Sequence, residues 1–259
     1  MATPPALRAF GYFALSYRRT WRGSMATTFV SPVLYLAAMG VGLGSFINKG
    51  GHTATLGHIS YLQFVAPALA ATTAVTTAAS EALFPIMGAI KWNRTYFGML
   101  ATPLRVGDVL AGHLIWIATR VATAVAAYLV VMAAFGTTPS LETLAVLPAG
   151  VLAGMAFATP LAAFAASQEN EQAFPLVFRL GVIPLFLFSG VFFPVSQLPV
   201  GLRVVAYATP LWHGVDLCRR LTLGQLSGAG AAVHLTYLAA LTGLGVLWAT
   251  RTFAARLRT

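Results

Sequence analysis

His113 and Arg120 are polar residues inside a long apolar stretch, and they are the first candidates for chemistry. With Trp116 they occupy positions i, i+3 and i+7, which places them near one face of a helix. An arginine at the middle of a membrane span costs about 2.5–3.5 kcal/mol on insertion scales, so it should face protein or water. Two roles fit this intramembrane pair: a polar contact on a substrate path, or a buried structural centre of hydrogen bonds.

A second polar group lies in the sequence PLWHGVDLCRR at 210–220. Asp216 and Arg220 are four residues apart with the acid first, the favourable order for a helical ion pair, and His213 shares their face. Chemistry of the Ser-His-Asp kind would also need a nucleophile and an oriented base, and nothing in this run selects one. We interpret the run as an outer-mouth helix that carries a structural ion pair.

Catalytic and metal-binding signatures are missing from the sequence. It contains no G-x-x-x-x-G-K-[ST] phosphate loop, no H-E-x-x-H zinc motif and no G-x-S-x-G nucleophile turn. Cys218 is the only cysteine, which excludes a disulfide within the chain and a cysteine metal cluster. We therefore expect no catalytic residue, no metal and no cofactor on this chain.

The connection at 84–105 combines basic and aromatic residues, which a simple connector would not need. Apolar side chains flanked by basic ones suit docking into a groove on a partner protein. The alternative is a second interfacial helix without a partner. The residues that we predict to dock are Lys91, Trp92, Asn93, Arg94, Thr95 and Tyr96.

The composition predicts that these elements belong to a membrane protein. Only 8% of the 259 residues are charged and 58% are hydrophobic, whereas soluble domains carry about 25% charged residues. Long uncharged windows approach or exceed the roughly 20 residues that cross a bilayer as a helix. We predict a single all-α domain, 1–259, with six transmembrane helices. The predicted spans are about 26–47, 59–82, 107–134, 143–166, 173–193 and 230–250.

Two further segments flank these spans. Residues 5–22 have Phe10, Phe13, Tyr17 and Trp21 on one helical face, which predicts an interfacial amphipathic helix with its rings in the acyl boundary. The alternative is a plain basic flank. Residues 194–228 are too apolar for a free outer loop and contain prolines that start or break helices, so we predict re-entrant outer helices between spans 5 and 6.

The net charge of +10 would suggest nucleic acid if the protein were soluble. Its distribution instead follows the positive-inside rule, with both termini in the cytoplasm. We therefore expect the lipid bilayer as a partner and no nucleic acid. The basic residues placed inside are Arg8, Arg18, Arg19, Arg22, Lys91, Arg94, Arg105, Arg251, Arg256 and Arg258.

Several stretches together resemble the membrane subunits of the ABC-2 exporter group, most closely nodulation-factor (lipo-oligosaccharide) export permeases and daunorubicin-resistance permeases. The resemblance covers nearly the whole chain. One departure is Gly112-His113, where relatives often carry Gly-Glu, so a role for that acid is not carried over. The matching stretches are YLQFVAP at 61–67, Glu81, NRT at 93–95, MLATPLRVGD at 99–108, FSGVFFPVSQLP at 188–199 and PLWHGVDLCR at 210–219.

The resemblance implies a six-span permease of the bacterial plasma membrane with a coupling helix at 84–105. It also implies two cytoplasmic ATP-binding-cassette subunits, which would hold ATP and Mg²⁺, and a second copy of the chain or a related permease. The expected function is outward export of an amphipathic, lipid-linked or drug-like substrate. Two alternatives are a secondary transporter without ATP coupling and an intramembrane enzyme.

Overall fold

A computed structural model describes residues 4–49, 59–138 and 141–258, and within these ranges every regular element is a helix. Where the structure describes the connecting residues, short turns join successive helices, apart from the stretch at 189–199. This architecture confirms the predicted all-α class. The helices are α1 Pro5–Tyr17, α2 Trp21–Lys49, α3 Tyr61–Trp92, α4 Thr95–Leu100, α5 Val106–Ala134, α6 Leu141–Ser167, α7 Phe174–Phe188, α8 Val200–Tyr207, α9 Pro210–Leu223 and α10 Gly228–Leu257.

Five of these helices, α2, α3, α5, α6 and α10, are long and apolar enough to cross a membrane. They correspond to five of the six predicted spans. The predicted span at 173–193 corresponds to α7, which ends earlier at Phe188. At 1.5 Å per residue α7 is about 22 Å long, shorter than the hydrocarbon core of about 30 Å.

The N-terminal helix is shorter than predicted. α1 ends at Tyr17, and a turn at 18–20 separates it from α2, so Trp21 begins the next helix instead of completing the aromatic face of α1. The predicted range 5–22 was wrong at this end because neither Gly nor Pro marks the turn. α2 then continues through a π-helical stretch, Ala37–Leu43, to Lys49.

α3 is the most buried of the five long helices. Its start is capped by Ser60, whose hydroxyl accepts a hydrogen bond from the backbone N–H of Gln63. The chain bends at Leu83 (φ −100°, ψ −81°) and continues as helix to Trp92. The first part of the predicted 84–105 connection is therefore an extension of α3, and only the short helix α4 and a turn lead from there to α5.

Small residues bring α6 close to its neighbours. A Cβ on Gly154 would lie 2.8 Å from Val121 of α5, and one on Gly150 would lie 3.1 Å from Val125. The small-xxx-small spacing of these glycines thus marks a helix contact, as such spacing often does in membranes.

Two helices, α8 and α9, occupy the region predicted to be re-entrant. Pro199 and Pro210 stand at their starts, where a missing N–H costs no helical hydrogen bond. Arg219 of α9 fixes this region to the bundle, because it donates to the carbonyl oxygens of Phe64 (3.1 Å) and Gly190 (2.7 Å). Its guanidinium also lies 3.8 Å from the centroid of the Phe64 ring.

Candidate functional site

Arg120 is the centre of a polar network that joins four helices. Its Nε lies 3.0 Å from a carboxylate oxygen of Glu81 on α3. Its two terminal nitrogens donate to the hydroxyl oxygens of Tyr17 on α1 (2.7 Å) and Ser24 on α2 (2.9 Å). The guanidinium also lies 4.4 Å from the centroid of the Tyr17 ring. The fork geometry of arginine suits such divergent partners.

The aromatic face of α1 contacts α5. Phe13 lies 4.4 Å from the ring of His113, and Phe10 and Tyr17 lie 6.2 and 5.4 Å from Trp116, between ring centroids. Gly112 permits this approach, because a Cβ there would lie 2.6 Å from the Cβ of Ala9. Phe10, Phe13 and Tyr17 are half-buried by this contact, so protein covers part of the face that was predicted to lie in the acyl boundary. The interfacial location of α1 stays a prediction.

Four of the six predicted docking residues are exposed at the end of α3. Trp92 is 53% exposed, and Lys91, Asn93 and Arg94 are exposed beside it. Arg94 adopts a left-handed conformation (φ 49°), and its guanidinium lies 5.0 Å from the ring of Phe97. The amine of Lys91 donates to the backbone oxygen of Glu169 (3.2 Å), so the 167–173 turn lies next to this surface.

Tyr96 does not belong to that surface, and its inclusion there was wrong. Its side chain is fully buried. Its hydroxyl lies 2.5 Å from Nδ1 of His113, and its ring packs 5.7 Å from Phe253 of α10. Thr95 is half-buried at the start of α4. His113 thus pairs with Tyr96 and not with Arg120, although both His113 and Arg120 lie on α5.

A second network lies between α9 and α10. The Asp216 carboxylate accepts from Nε of Arg220 at 2.6 Å, the ion pair expected from the sequence, and lies 3.0 Å from Nε2 of His234. Nδ1 of His234 is in turn 2.8 Å from Nδ1 of His213, whose ring stacks on Tyr237 with centroids 3.9 Å apart. His234 was not predicted to belong to this network, although it is the only histidine between 214 and 259.

The electrostatics of Asp216 follow from these contacts. Burial by itself would raise the pKa of its carboxyl group, but the hydrogen bond from His234 and the charge of Arg220 outweigh burial and hold the pKa below its ordinary value. Asp216 is therefore ionised at neutral pH, and it provides the countercharge of Arg220 and a hydrogen-bond acceptor for Nε2 of His234.

A cavity of about 400 Å³ opens between α2, α3, α5 and α7. Its walls are mostly apolar, with hydroxyl groups contributed by tyrosine and threonine. An adjoining cavity of about 310 Å³ shares three of these residues, Tyr35, Thr73 and Thr76. The polar residues of the first cavity are Tyr35, Thr72, Thr73, Thr76 and Tyr128.

Comparison with known protein families shows which family this bundle of helices belongs to. A sequence model described as "ABC-2 type transporter" matches residues 12–223, which is most of the chain. The chain belongs to the ABC-2 type transporter family. This confirms the resemblance found in the sequence, and the ABC-2 chain is a multi-pass export permease of the plasma membrane. Family membership also implies association with an ABC ATPase subunit.

The relatives of this ABC-2 chain include proteins called Nodulation protein J. The protein of this name from Rhizobium leguminosarum bv. trifolii is 34% identical over 211 residues, 82% of this chain and 78% of the relative. Those from Rhizobium meliloti (strain 1021) and Azorhizobium caulinodans are 30% and 25% identical. The two alignments cover 82% and 87% of this chain, and 78% and 87% of the relatives. The family match ends at 223, so His234 lies beyond it.

In the network between α9 and α10 of this ABC-2 permease, Asp216 and Arg220 should contribute unequally to stability. We expect Asp216→Asn to lower the free energy of unfolding by about 2 kcal/mol, because the buried His234 loses a charged hydrogen-bond partner. Arg220→Gln should cost less than about 1 kcal/mol, since the Arg220 side chain is 42% exposed. Unfolding in detergent measures both variants. Equal losses would contradict the central place of Asp216 in the network.

Proposed function

We propose that this chain is the membrane-spanning half of an ATP-binding-cassette exporter that moves an amphipathic, lipid-linked or drug-like substrate outward. Two cytoplasmic ATPase subunits would drive it and would bind ATP and Mg²⁺. A second copy of the chain, or a related permease, would complete the membrane domain. The ATP chemistry then belongs to the partner, and this chain supplies the path and the coupling surface.

The exposed basic and aromatic group at the end of α3 carries this proposal. A half-exposed tryptophan between charged neighbours is the kind of anchor that dominates protein interfaces. Lys91 and Trp92 end a helix that runs without interruption from Phe84, and Arg94 lies two residues beyond its end. Movement of the ATPase at this surface would therefore be transmitted to α3, the most buried long helix.

The proposed topology has six crossings and both termini in the cytoplasm. Arg105, before α5, and Arg258, after α10, line one cavity, so these basic ends lie on the same side. α7 would complete its crossing with the apolar residues 189–193, and α8 and α9 would dip into the outer leaflet. The excess of basic residues at the end of the bundle that holds Arg105 and Arg258 agrees with the positive-inside rule.

The depth of Arg120 follows from the same topology. α5 has 29 residues and is about 44 Å long, more than the hydrocarbon core of about 30 Å. Its first half, covered by α1, would extend toward the cytoplasm. Arg120 is the fifteenth of these 29 residues, so only about 21 Å of helix follow it, and it would lie inside the hydrocarbon core. Its protein partners support a structural role over a substrate contact.

The transport path would use the cavity between α2, α3, α5 and α7. Its apolar walls suit acyl or aromatic groups, and its hydroxyl groups can bond polar parts without requiring a charge. The helices α2 and α7, which contribute to its walls, also carry exposed apolar residues such as Leu34 and Leu180, which a second permease or lipid would cover. The walls therefore fit an amphipathic substrate better than an ion.

We expect Trp92→Ala and Arg94→Ala to weaken ATPase association about tenfold or more, because loss of a central anchor costs roughly 2 kcal/mol at an interface. The measurement is co-purification with an ABC ATPase subunit that is expressed together with this chain, along with vanadate-sensitive ATP hydrolysis. Trp248→Ala is the matched control, since Trp248 is 45% exposed on α10 and is not among the predicted docking residues. Unchanged association in the Trp92 and Arg94 variants would refute the coupling role.

A further inference from the structure

Arg105 and Arg258 line one cavity of about 370 Å³, which lies between the start of α5 and the end of α10. Both residues are exposed, and neither forms an ion pair with a described residue. The cavity shares no residue with the one assigned to the transport path. Two helices thus bring positive charge to one place, and the described part of the chain supplies no countercharge there.

Asp108 is close to Arg105 in sequence, but its carboxylate is used at the start of α5. It accepts a hydrogen bond from the backbone N–H of Arg105 at 2.9 Å, and Asp108 does not line the cavity. None of the described residues that line the cavity is Asp or Glu. The two guanidinium groups therefore attract an anion to this site and repel a cationic group.

The rest of the cavity wall is mostly apolar, and apolar surface continues from it along α10. Val106, Leu110 and Ala254 contribute the apolar part of the wall. Leu247 precedes Arg258 by eleven residues, lies about 20° from it around the helix, and is 58% exposed. A ligand with an anionic group at Arg258 can therefore place an apolar chain along Leu247.

The lengths of the two helices place both arginines at the level of the lipid headgroups. α5 has 29 residues and α10 has 30, so each helix is about 44–45 Å long. When such a helix is centred on a hydrocarbon core of about 30 Å, it extends about 7 Å beyond the core at each end. Arg105 and Arg258 flank these ends, whereas Leu247 lies roughly 16 Å deeper along α10.

We propose that this cavity binds a phospholipid of net negative charge, with its phosphate between Arg105 and Arg258 and an acyl chain along Leu247. Guanidinium groups bind phosphate oxygens through paired N–H donors. Basic pockets between membrane helices on the cytoplasmic side bind anionic headgroups in this way. The lipid would join the start of α5 to the end of α10. Its place in the inner leaflet rests on the proposed topology, whereas the binding itself does not.

The test uses the full chain in detergent without any ATPase, and native mass spectrometry counts the lipids that stay bound. Dioleoyl phosphatidylglycerol is compared with dioleoyl phosphatidylcholine, which has the same acyl chains and no net charge. Each arginine near an anionic lipid contributes roughly a factor of five, so we expect the first phosphatidylglycerol to bind about 25-fold more tightly. Equal binding of the two lipids would overturn the proposal.

Variants that remove one charge locate the binding. Arg105→Gln and Arg258→Gln should each weaken phosphatidylglycerol binding about fivefold, and the double variant should lose the preference for this lipid. Both positions are exposed, so folding should be unaffected. Arg256→Gln is the matched control, because Arg256 lies about 160° from Arg258 around the helix and does not line the cavity. An equal loss in Arg256→Gln would show a general attraction to basic residues and would refute a defined site.

Two further results would assign the arginines to another ligand. Glycerol 1-phosphate has the phosphate group without acyl chains, and we expect an excess of it to leave the lipid bound. Displacement would indicate a site for free phosphate and would overturn the lipid proposal. A double variant that retains lipid binding and loses association with a co-expressed ABC ATPase subunit would assign the arginines to the protein partner. Because the lipid is measured without the ATPase, failure to bind it would remove this site and leave the exporter function standing.

Discussion

Glu81→Ala will lower the free energy of unfolding by roughly 3 kcal/mol, the cost of leaving one member of a buried ion pair without its partner. The side chains of Glu81 and Arg120 are only 21% and 14% exposed, so water cannot replace the lost carboxylate well. The guanidinium would retain its bonds to Tyr17 and Ser24, but these hydroxyls carry no countercharge. Detergent-solubilised protein unfolded with increasing SDS provides the measurement.

A double-mutant cycle isolates the pair. Arg120→Ala should cost a similar amount as Glu81→Ala, and the double variant should cost clearly less than the sum, because neither charge is then left alone. Tyr17→Phe removes one hydrogen bond and should cost about 1 kcal/mol. Glu142→Ala is the control: this glutamate is exposed at the start of α6, and its loss should fall within about 0.5 kcal/mol. Additive effects of Glu81→Ala and Arg120→Ala would show that the pair does not stabilise the bundle.

The long helices could be predicted because charge spacing alone limits where a membrane helix can lie. α5 begins at Val106 and ends at Ala134, within one residue of the predicted span 107–134. Turns that contain neither Gly nor Pro could not be located from the sequence, and the turn before Trp21 is an example. The length of α7 was overestimated because the apolar run continues to Phe193 after the helix has ended.

The partner of Arg120 could not be predicted, since Glu81 is 39 positions away. Helical periodicity gives the face of a residue relative to its own helix, but not how neighbouring helices are rotated toward each other. The pair Asp216 and Arg220 could be predicted because both residues lie on one helix, where spacing determines contact. His234 was missed for the same reason as Glu81: it reaches Asp216 from another helix.

What covers the aromatic face of α1 could not be predicted from the sequence either. Phe10, Phe13 and Tyr17 share a face of α1, and the pattern alone cannot distinguish lipid from protein as the covering material, because both are apolar. Gly112 on α5 decides the outcome, since it lets the backbone of α1 approach closely. Tyr96 was placed on the docking surface by its neighbours in sequence, whereas its hydroxyl pairs with the buried His113.

The packing of α10 on α6 gives the second large effect, and Gly245 controls it. A Cβ on Gly245 would lie 2.7 Å from the backbone nitrogen of Pro160 and closer still to the hydroxyl of Thr159. That hydroxyl donates to the carbonyl oxygen of Thr242 at 3.1 Å, so a side chain of α6 already contacts the backbone of α10. Pro160 lies within α6, and its backbone cannot move without disturbing the helix.

Gly245→Ala should therefore destabilise the protein by about 1–3 kcal/mol through overpacking. Gly243→Ala is the matched control on the same helix. Nothing lies within 4 Å of a Cβ there, so the change should be neutral or stabilising by up to about 1 kcal/mol, because alanine favours helix over glycine. Opposite changes in the free energy of unfolding would show that the close contact at Gly245 is responsible, and not a general sensitivity of α10 to substitution. Equal changes in the two variants would contradict the contact.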